Sequence, residues 1–144
     1  MHFRTLGVSV QLSLYLKNLC YRVGLLDVDL CGPSIPQMFC LEKSSKNIVY
    51  ESEQGWTPIY VVESNALCIM SIGFLLENVN GAIIWRGPRK MAMIQRLITD
   101  VNWSNLDYLV TETPTSTSDE HITVMNILKQ SNSEKTNDYL HSIF

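Results

Sequence analysis

The stretch VGLLDVDLCGPSIP, residues 23 to 36, sets an apolar run against a loop that carries Cys31, Gly32, Pro33, Ser34 and Pro36. A short run of this kind, bounded by turn residues, suits a strand buried on both faces, the condition of a central strand in a parallel sheet. Gly32 and the two prolines end it. Asp29 stands at its carboxyl end and Asp27 lies inside it, where a carboxylate requires a buried partner whatever its role.

Working upstream, Leu12, Tyr15, Leu16 and Leu19 fall at i, i+3, i+4 and i+7 within residues 10 to 19, so an amphipathic helix on a sheet face is expected there. Helix followed by buried strand points to an α/β layer. Downstream, residues 42 to 47 (EKSSKN) read as a polar connection, residues 48 to 50 and 59 to 62 as strands of an edge hairpin around Gly55 and Pro58. Residues 67 to 72 (LCIMSI) and 82 to 85 (AIIW) are further buried-strand candidates, joined by GFLLENVNG with its Asn80-Gly81 turn signal.

Pro88 suits the first turn of a helix, and Met91, Ile94, Leu97, Ile98 and Val101 follow at helical spacing. Residues 107 to 111 (DYLVT) are another short apolar strand, so a right-handed strand, helix, strand crossover is expected over 82 to 111. After the small residues of TPTSTS, a helix is expected from Ser118 or Asp119. One partial domain over 1 to 130 is expected, followed by a polar, frayed tail over 131 to 144.

The 144 residues hold 11 Lys and Arg against 14 Asp and Glu, a formal charge of -3, with no basic run that would track a phosphate backbone; a nucleic-acid partner is not expected. Charged residues interrupt every apolar segment before it reaches the ~20 residues of a membrane span, and no small-residue cleavage site follows the first apolar stretch. Cys20, Cys31, Cys40 and Cys68 form no CxxC pair, so neither a zinc site nor a disulfide framework is indicated, and a reducing cytosol is the simplest home.

In open parallel sheets, functional groups collect in the crevice at the carboxyl ends of the strands. Two such ends carry acids here: Asp29 with its GPS loop, and Glu112 with its TPTSTS loop. Side by side, they could hold magnesium directly or through waters and set a water against a phosphate. Spacing alone leaves open the alternative that these acids cap helices or bond within their loops.

Read as a signature, the blocks VGLLDVDLCGPSIP (23 to 36), GWTPIYV (55 to 61), MSIGFLLEN (70 to 78), IIWRGPRK (83 to 90), MIQRLITDVNW (93 to 103), LDYLV (106 to 110) and TSDEH (117 to 121) resemble the Mrp-like branch of the deviant Walker A P-loop NTPases. That branch includes the cytosolic iron–sulfur cluster assembly factors of the nucleotide-binding protein 1 and 2 type. The resemblance implies a doubly wound parallel sheet, ATP and Mg2+ binding, slow ATP hydrolysis coupled to dimerisation, and transient carriage of a [4Fe-4S] cluster for apo iron–sulfur proteins in the cytoplasm. It implies that Asp29 orients the attacking water, that Gly32, Pro33 and Ser34 form the same switch loop, and that Asp27 stands near the magnesium site. Glu112 and Ser116 fall in the second switch.

Three departures accompany the resemblance. The family opens with GKGGVGKST, whose backbone amides cradle phosphates, whereas this chain has HFRTLG where that loop should end, near residues 5 to 7. The second switch reads ETPTSTSDEH against the family's DTPPGTSDEH: Glu112 is one methylene longer than the aspartate, and Ser116 replaces a glycine. The cluster-bridging CPxC motif and the later strands have no counterpart in these residues, and Cys31 alone cannot ligate a [4Fe-4S] cluster. The expectation is therefore a partial doubly wound α/β sheet of P-loop NTPase type, lacking the P-loop and the C-terminal strands, with ATP binding and hydrolysis impaired. A non-catalytic module that pairs with a full-length family member, as homo- or heterodimer, is the alternative. Arg86, His121 and the tryptophans read as structural.

Overall fold

A computed structural model of the chain describes residues 3–29, 32–41, 49–61, 66–77, 87–113, 118–134 and 141–143. The apolar run of the opening stretch forms β1 (Val23–Asp27), buried at every position. It lies between two parallel neighbours, β5 (Leu67–Ser71) and β6 (Tyr108–Glu112), in a register that aligns Asp27 with Ser71 on one side and Glu112 on the other. The sheet has the order β4-β5-β1-β6-β7, with β4 (Ile59–Tyr60) antiparallel on one edge and β7 (His141–Ile143) parallel on the other.

Alternation along β1 sends Leu26 to one face and Val23, Leu25 and Asp27 to the other. The first face is sealed by α4 (Gly87–Thr99) and α5 (Ser118–Glu134), whose Ile94, Leu97, Ile98, Val124 and Leu128 close on Leu26, Val28 and Leu109. Pro88 in the first turn and the apolar spacing behind it give α4 its start and its buried stripe. The second face is covered by α1 (Phe3–Asn18) and the short α2 (Ile35–Met38), through Leu16 and Ile35. α3 (Ile72–Glu77) leaves β5 directly and adds Phe74 to the same cluster.

Several expectations shift. The hairpin near residue 50 is formed by β2 (Glu51–Ser52) and β3 (Gly55–Trp56), while β4 leaves it to pair with β5. Gly55 needs its φ of +105 and has no room for a Cβ, because the Asp100 carbonyl lies against it as Trp56 N–H donates to Asp100 O. Residues 73 to 77, read as connection, are helical, and so is Ile72, read as the end of the strand before them. The strand expected over 82 to 85, with Trp85 and Arg86, lies outside the described residues, and so does the first half of the crossover expected with it. The tail expected from residue 131 is helical as far as Glu134, and His141–Ile143 join the sheet beside Tyr108–Val110.

The helix expected over 10 to 19 begins at Phe3, and it is turned differently on the sheet. Ser9, Ser13 and Leu16 face inward, Leu12 is half-buried, and Tyr15 and Leu19 are exposed. Two polar contacts lie on the inward side: Ser13 Oγ donates to Ser9 O at 2.8 Å within the helix, and the Ser9 side chain bonds Glu112 on the sheet.

Candidate functional site

The three central strands end level, so their last residues form one polar row, Ser71, Asp27 and Glu112, on the face that α1 covers. Asp27 is its hub. Ser71 Oγ donates to Asp27 Oδ2 at 2.9 Å, and the backbone N–H of Asp29 donates to Asp27 Oδ1 at 3.1 Å. Ser71 Oγ in turn accepts the Gly73 N–H at 3.0 Å, which ties the start of α3 to the row. A Cβ on Gly73 would stand 3.2 Å from Pro33 and Pro36 side-chain carbons, so the absence of a side chain lets the GPS loop lie on this turn.

Electrostatics follow from burial. Asp27 has no exposed surface, and desolvation pushes its carboxyl up to about 7, opposed by the Asp29 N–H and Ser71 hydroxyl bonds and reinforced by the nearby charges of Asp29 and Glu112. Glu112 is also raised, again chiefly by desolvation, against the bond from Ser9. Asp29 lies just outside the row, half-buried, where its charge acts on both carboxyls. Burial therefore favours the protonated forms of Asp27 and Glu112.

The structure thus brings Asp27, Asp29 and Glu112 to one end of the sheet and sets Gly32, Pro33 and Ser34 in the loop beyond. β1 ends at Asp27, so that residue rather than Asp29 occupies the strand terminus in register with Glu112. The Ser34 hydroxyl is buried without a hydrogen-bond partner among the described residues, one step before α2. Ser116 and Cys31 lie outside the described residues. Sequence reasoning gave no role to Ser71, Ser9 or Gly73. Ser71 carried a usable signal, as the first polar residue after the apolar run LCIM, the same signal that selected Asp29 and Glu112.

Two fits can be tested against these residues. A phosphate cradle needs consecutive free backbone amides, and residues 3 to 18 are helical, so from Gly7 onward each amide donates to the carbonyl four residues back. Among the described residues, no group of three or more His, Cys, Asp or Glu is arranged to hold a metal ion. Cys20 and Cys40 are exposed, and burial pushes the Cys68 thiol up to about 12, opposite to what a thiolate ligand requires. The described residues do not fit a cluster.

A mainly parallel sheet with helices on both faces and carboxylates at the strand ends defines the doubly wound class that handles nucleotide phosphates at this edge. The family model described as ParA, NUBPL iron-transfer P-loop NTPase, matches residues 6–134, and the chain belongs to that family. It is 54% identical over 123 residues to the "Cytosolic Fe-S cluster assembly factor Nubp2 homolog" of Drosophila virilis, and 53% identical to the homologue of Drosophila ananassae. Each match covers 85% of this chain, but only 45% and 46% of those relatives. A solved nucleotide-binding protein of Archaeoglobus fulgidus, in complex with ADP, superposes with a TM-score of 0.67 at 33% identity, covering 85% of this chain and 44% of that one. The chain spans less than half the length of the relatives it matches. No helix among the described residues is long and apolar enough to cross a membrane.

Proposed function

We propose that this chain serves cytosolic iron–sulfur cluster assembly as the switch-bearing part of a Nubp-type factor, and that by itself it neither holds ATP tightly nor hydrolyses it. The observation that carries the reading is α1: from Gly7 onward its amides are spent within the helix, and residues 5 to 7, where the resemblance puts the end of a phosphate-binding loop, stand in HFRTLG without the family's lysines. The switch half of the site remains. In this reading Asp29 would orient the attacking water, Glu112 would stand for the second-switch aspartate, Asp27 would support the magnesium shell, and Gly32, Pro33, Ser34 and Ser116 would line the phosphate side. ATP and Mg2+ would be held once a cradle is supplied, and a [4Fe-4S] cluster would be cargo, on thiolates that the described residues do not provide. The partners in this reading are a homologous assembly-factor subunit, in a homo- or heterodimer, and apo iron–sulfur proteins.

Equilibrium binding of labelled ATP with magnesium to the purified full chain, with circular dichroism to establish folding, tests this. Folded protein without micromolar binding is the expected result. Micromolar affinity would overturn it and direct attention to Arg4 to Gly7 as a replacement cradle. A second reading, a non-catalytic module that pairs with a family member, is favoured by the uncovered apolar side of α1.

A further inference from the structure

The end of the sheet opposite the acid row carries a cleft of its own. Arg22 stands just before β1, Tyr60 ends β4 beside the start of β5, and Trp103 to Leu106 lead into β6; together they line a cavity of about 330 Å3, open to solvent on one side. That volume is near the lower limit of small-ligand sites, about 300 to 1,000 Å3. At ~3.3 Å per residue, Arg22 lies roughly 16 Å along β1 from Asp27, so the two ends of the sheet are separate places.

Backbone ties and close packing shape the cleft. Gly24 has no Cβ, and one there would meet Leu106 Cδ1 and Trp103 Cε3 at 2.5 and 2.9 Å, so both side chains close on the strand. The loop is pinned at one end by the Asn102 N–H, which donates to Trp56 O at 2.9 Å, and at the other by the Asp107 and Tyr108 N–H groups, which donate to Arg22 O at 2.8 and 3.2 Å. Between these ties Ser104 holds φ at +55, a left-handed conformation that residues other than glycine adopt at a cost.

The lining suits an anion with an apolar, planar body. Tyr60, Trp103 and Leu106 supply apolar walls, Arg22, Ser104 and Asn105 supply donors, and none of the described lining residues is acidic. Asp107 stands beside the cleft, but its short bond is to the backbone: the Arg22 N–H donates to Oδ2 at 2.7 Å, whereas the guanidinium reaches the carboxylate only at 3.4 and 3.5 Å, with the Arg22 side chain 53% exposed. The same N–H bond is the main cause that holds the Asp107 carboxyl below its usual range. The guanidinium therefore keeps donors of its planar fork for a second carboxylate. Trp103, nearly buried, carries an indole N–H with no acceptor among the described residues. A donor left in that state is costly, and an acceptor brought within its reach would remove the cost.

We propose that this cleft is a second ligand site, for a small aromatic carboxylate, with its ring against Tyr60 and Trp103 and its carboxylate on Arg22. The site goes beyond the proposed function and does not depend on whether ATP binds, so the two can fail separately.

Titration of the isotope-labelled full chain with benzoate, followed by NMR through its backbone and indole N–H resonances, tests this. Saturable shifts are expected at the Trp103 indole N–H and at the amides of Arg22 and of Ser104 to Leu106, with none at Asp29 or Gly73. Benzamide keeps the ring and loses the charge, and inorganic phosphate keeps a charge and loses the ring. Each should bind at least about tenfold more weakly, as loss of a hydrogen bond to a charged group or of an aromatic contact implies. Arg22→Gln should weaken benzoate by a similar factor, and because residue 22 ties the strand ends through its backbone, the spectrum away from the cleft should match that of the parent. Tyr60→Ala, at a partly exposed edge position, should weaken benzoate independently. Absence of saturable shifts would overturn the proposal. So would equal binding of benzamide or phosphate, shifts centred on the acid row, or benzoate affinity unchanged in either folded variant.

Discussion

The two faces of β1 are made from the same five residues and covered by helices of very different character. On the α4–α5 side the contacts are mainly apolar, with Leu26 and Val28 against Ile94, Leu97 and Leu128, a buried hydroxyl at Thr111, and the hairpin clasped on by Arg96 over the Trp56 ring at 4.5 Å. On the α1 side the same sheet ends in a hydrogen-bonded row of Ser71, Asp27 and Glu112, under a helix that presents serines. One face is organised to hold the sheet together. The other accepts desolvated acids, which cost stability, and such groups collect at functional sites.

Breaking the first face should have the largest effect. Leu97→Ala removes a fully buried side chain between α4 and the sheet, and a loss of about 2 to 5 kcal/mol is expected in urea unfolding. Gly24→Ala would attack the strand itself, since a Cβ there meets Leu106 Cδ1 at 2.5 Å and Trp103 Cε3 at 2.9 Å. Overpacking of this kind costs ~1 to 3 kcal/mol.

The second face should announce itself through pH. The folded-state value of Asp27, about 7, lies above its ordinary 3.8, so the folded chain holds a proton that the unfolded chain releases. Stability should therefore be greatest below about pH 4, fall as pH rises between 4 and 7, and level off above, a swing of order 4 kcal/mol at most; Glu112, also raised, acts in the same direction. Asp27→Asn should flatten that decline, as read from urea midpoints between pH 5 and 8. An unchanged slope in the variant would remove Asp27 as the source.

Ser71→Ala leaves Asp27 Oδ2 and the Gly73 N–H without their shared partner, and about 1 to 3 kcal/mol should be lost. Faster exchange of the Asp29 and Gly73 amides should accompany it. The smallest effect belongs to Arg96→Ala on the other face. It removes the contact over Trp56 and exposed pairs to Glu51 and Asp100 at 3.0 and 3.1 Å, and ~1 kcal/mol or less is expected in thermal unfolding.

Much of this was legible from the chain alone. The apolar runs at 23 to 28, 67 to 72 and 107 to 111 become β1, β5 and β6 within a residue or two, because a strand buried on both faces can only be written in apolar residues. Pro88 and the stripe behind it set α4 for a similar reason. Asp27, Asp29 and Glu112 stood out because a carboxylate beside such a run is costly without a purpose.

What the sequence did not carry is relative placement. Which side of α1 faces the sheet goes with its contacts across to the strands, the bond of Ser9 to Glu112 and the packing of Leu16, and not with the larger apolar stripe that periodicity selects. Ser71 becomes the partner of Asp27 only through the register of β5 on β1, across 44 residues of chain. The sequence by itself determined which segments are buried and which acids stand at their ends, since burial is a property of composition and spacing. Only the tertiary structure decided which of those ends meet, because register and helix rotation are fixed by contacts between residues far apart in the chain.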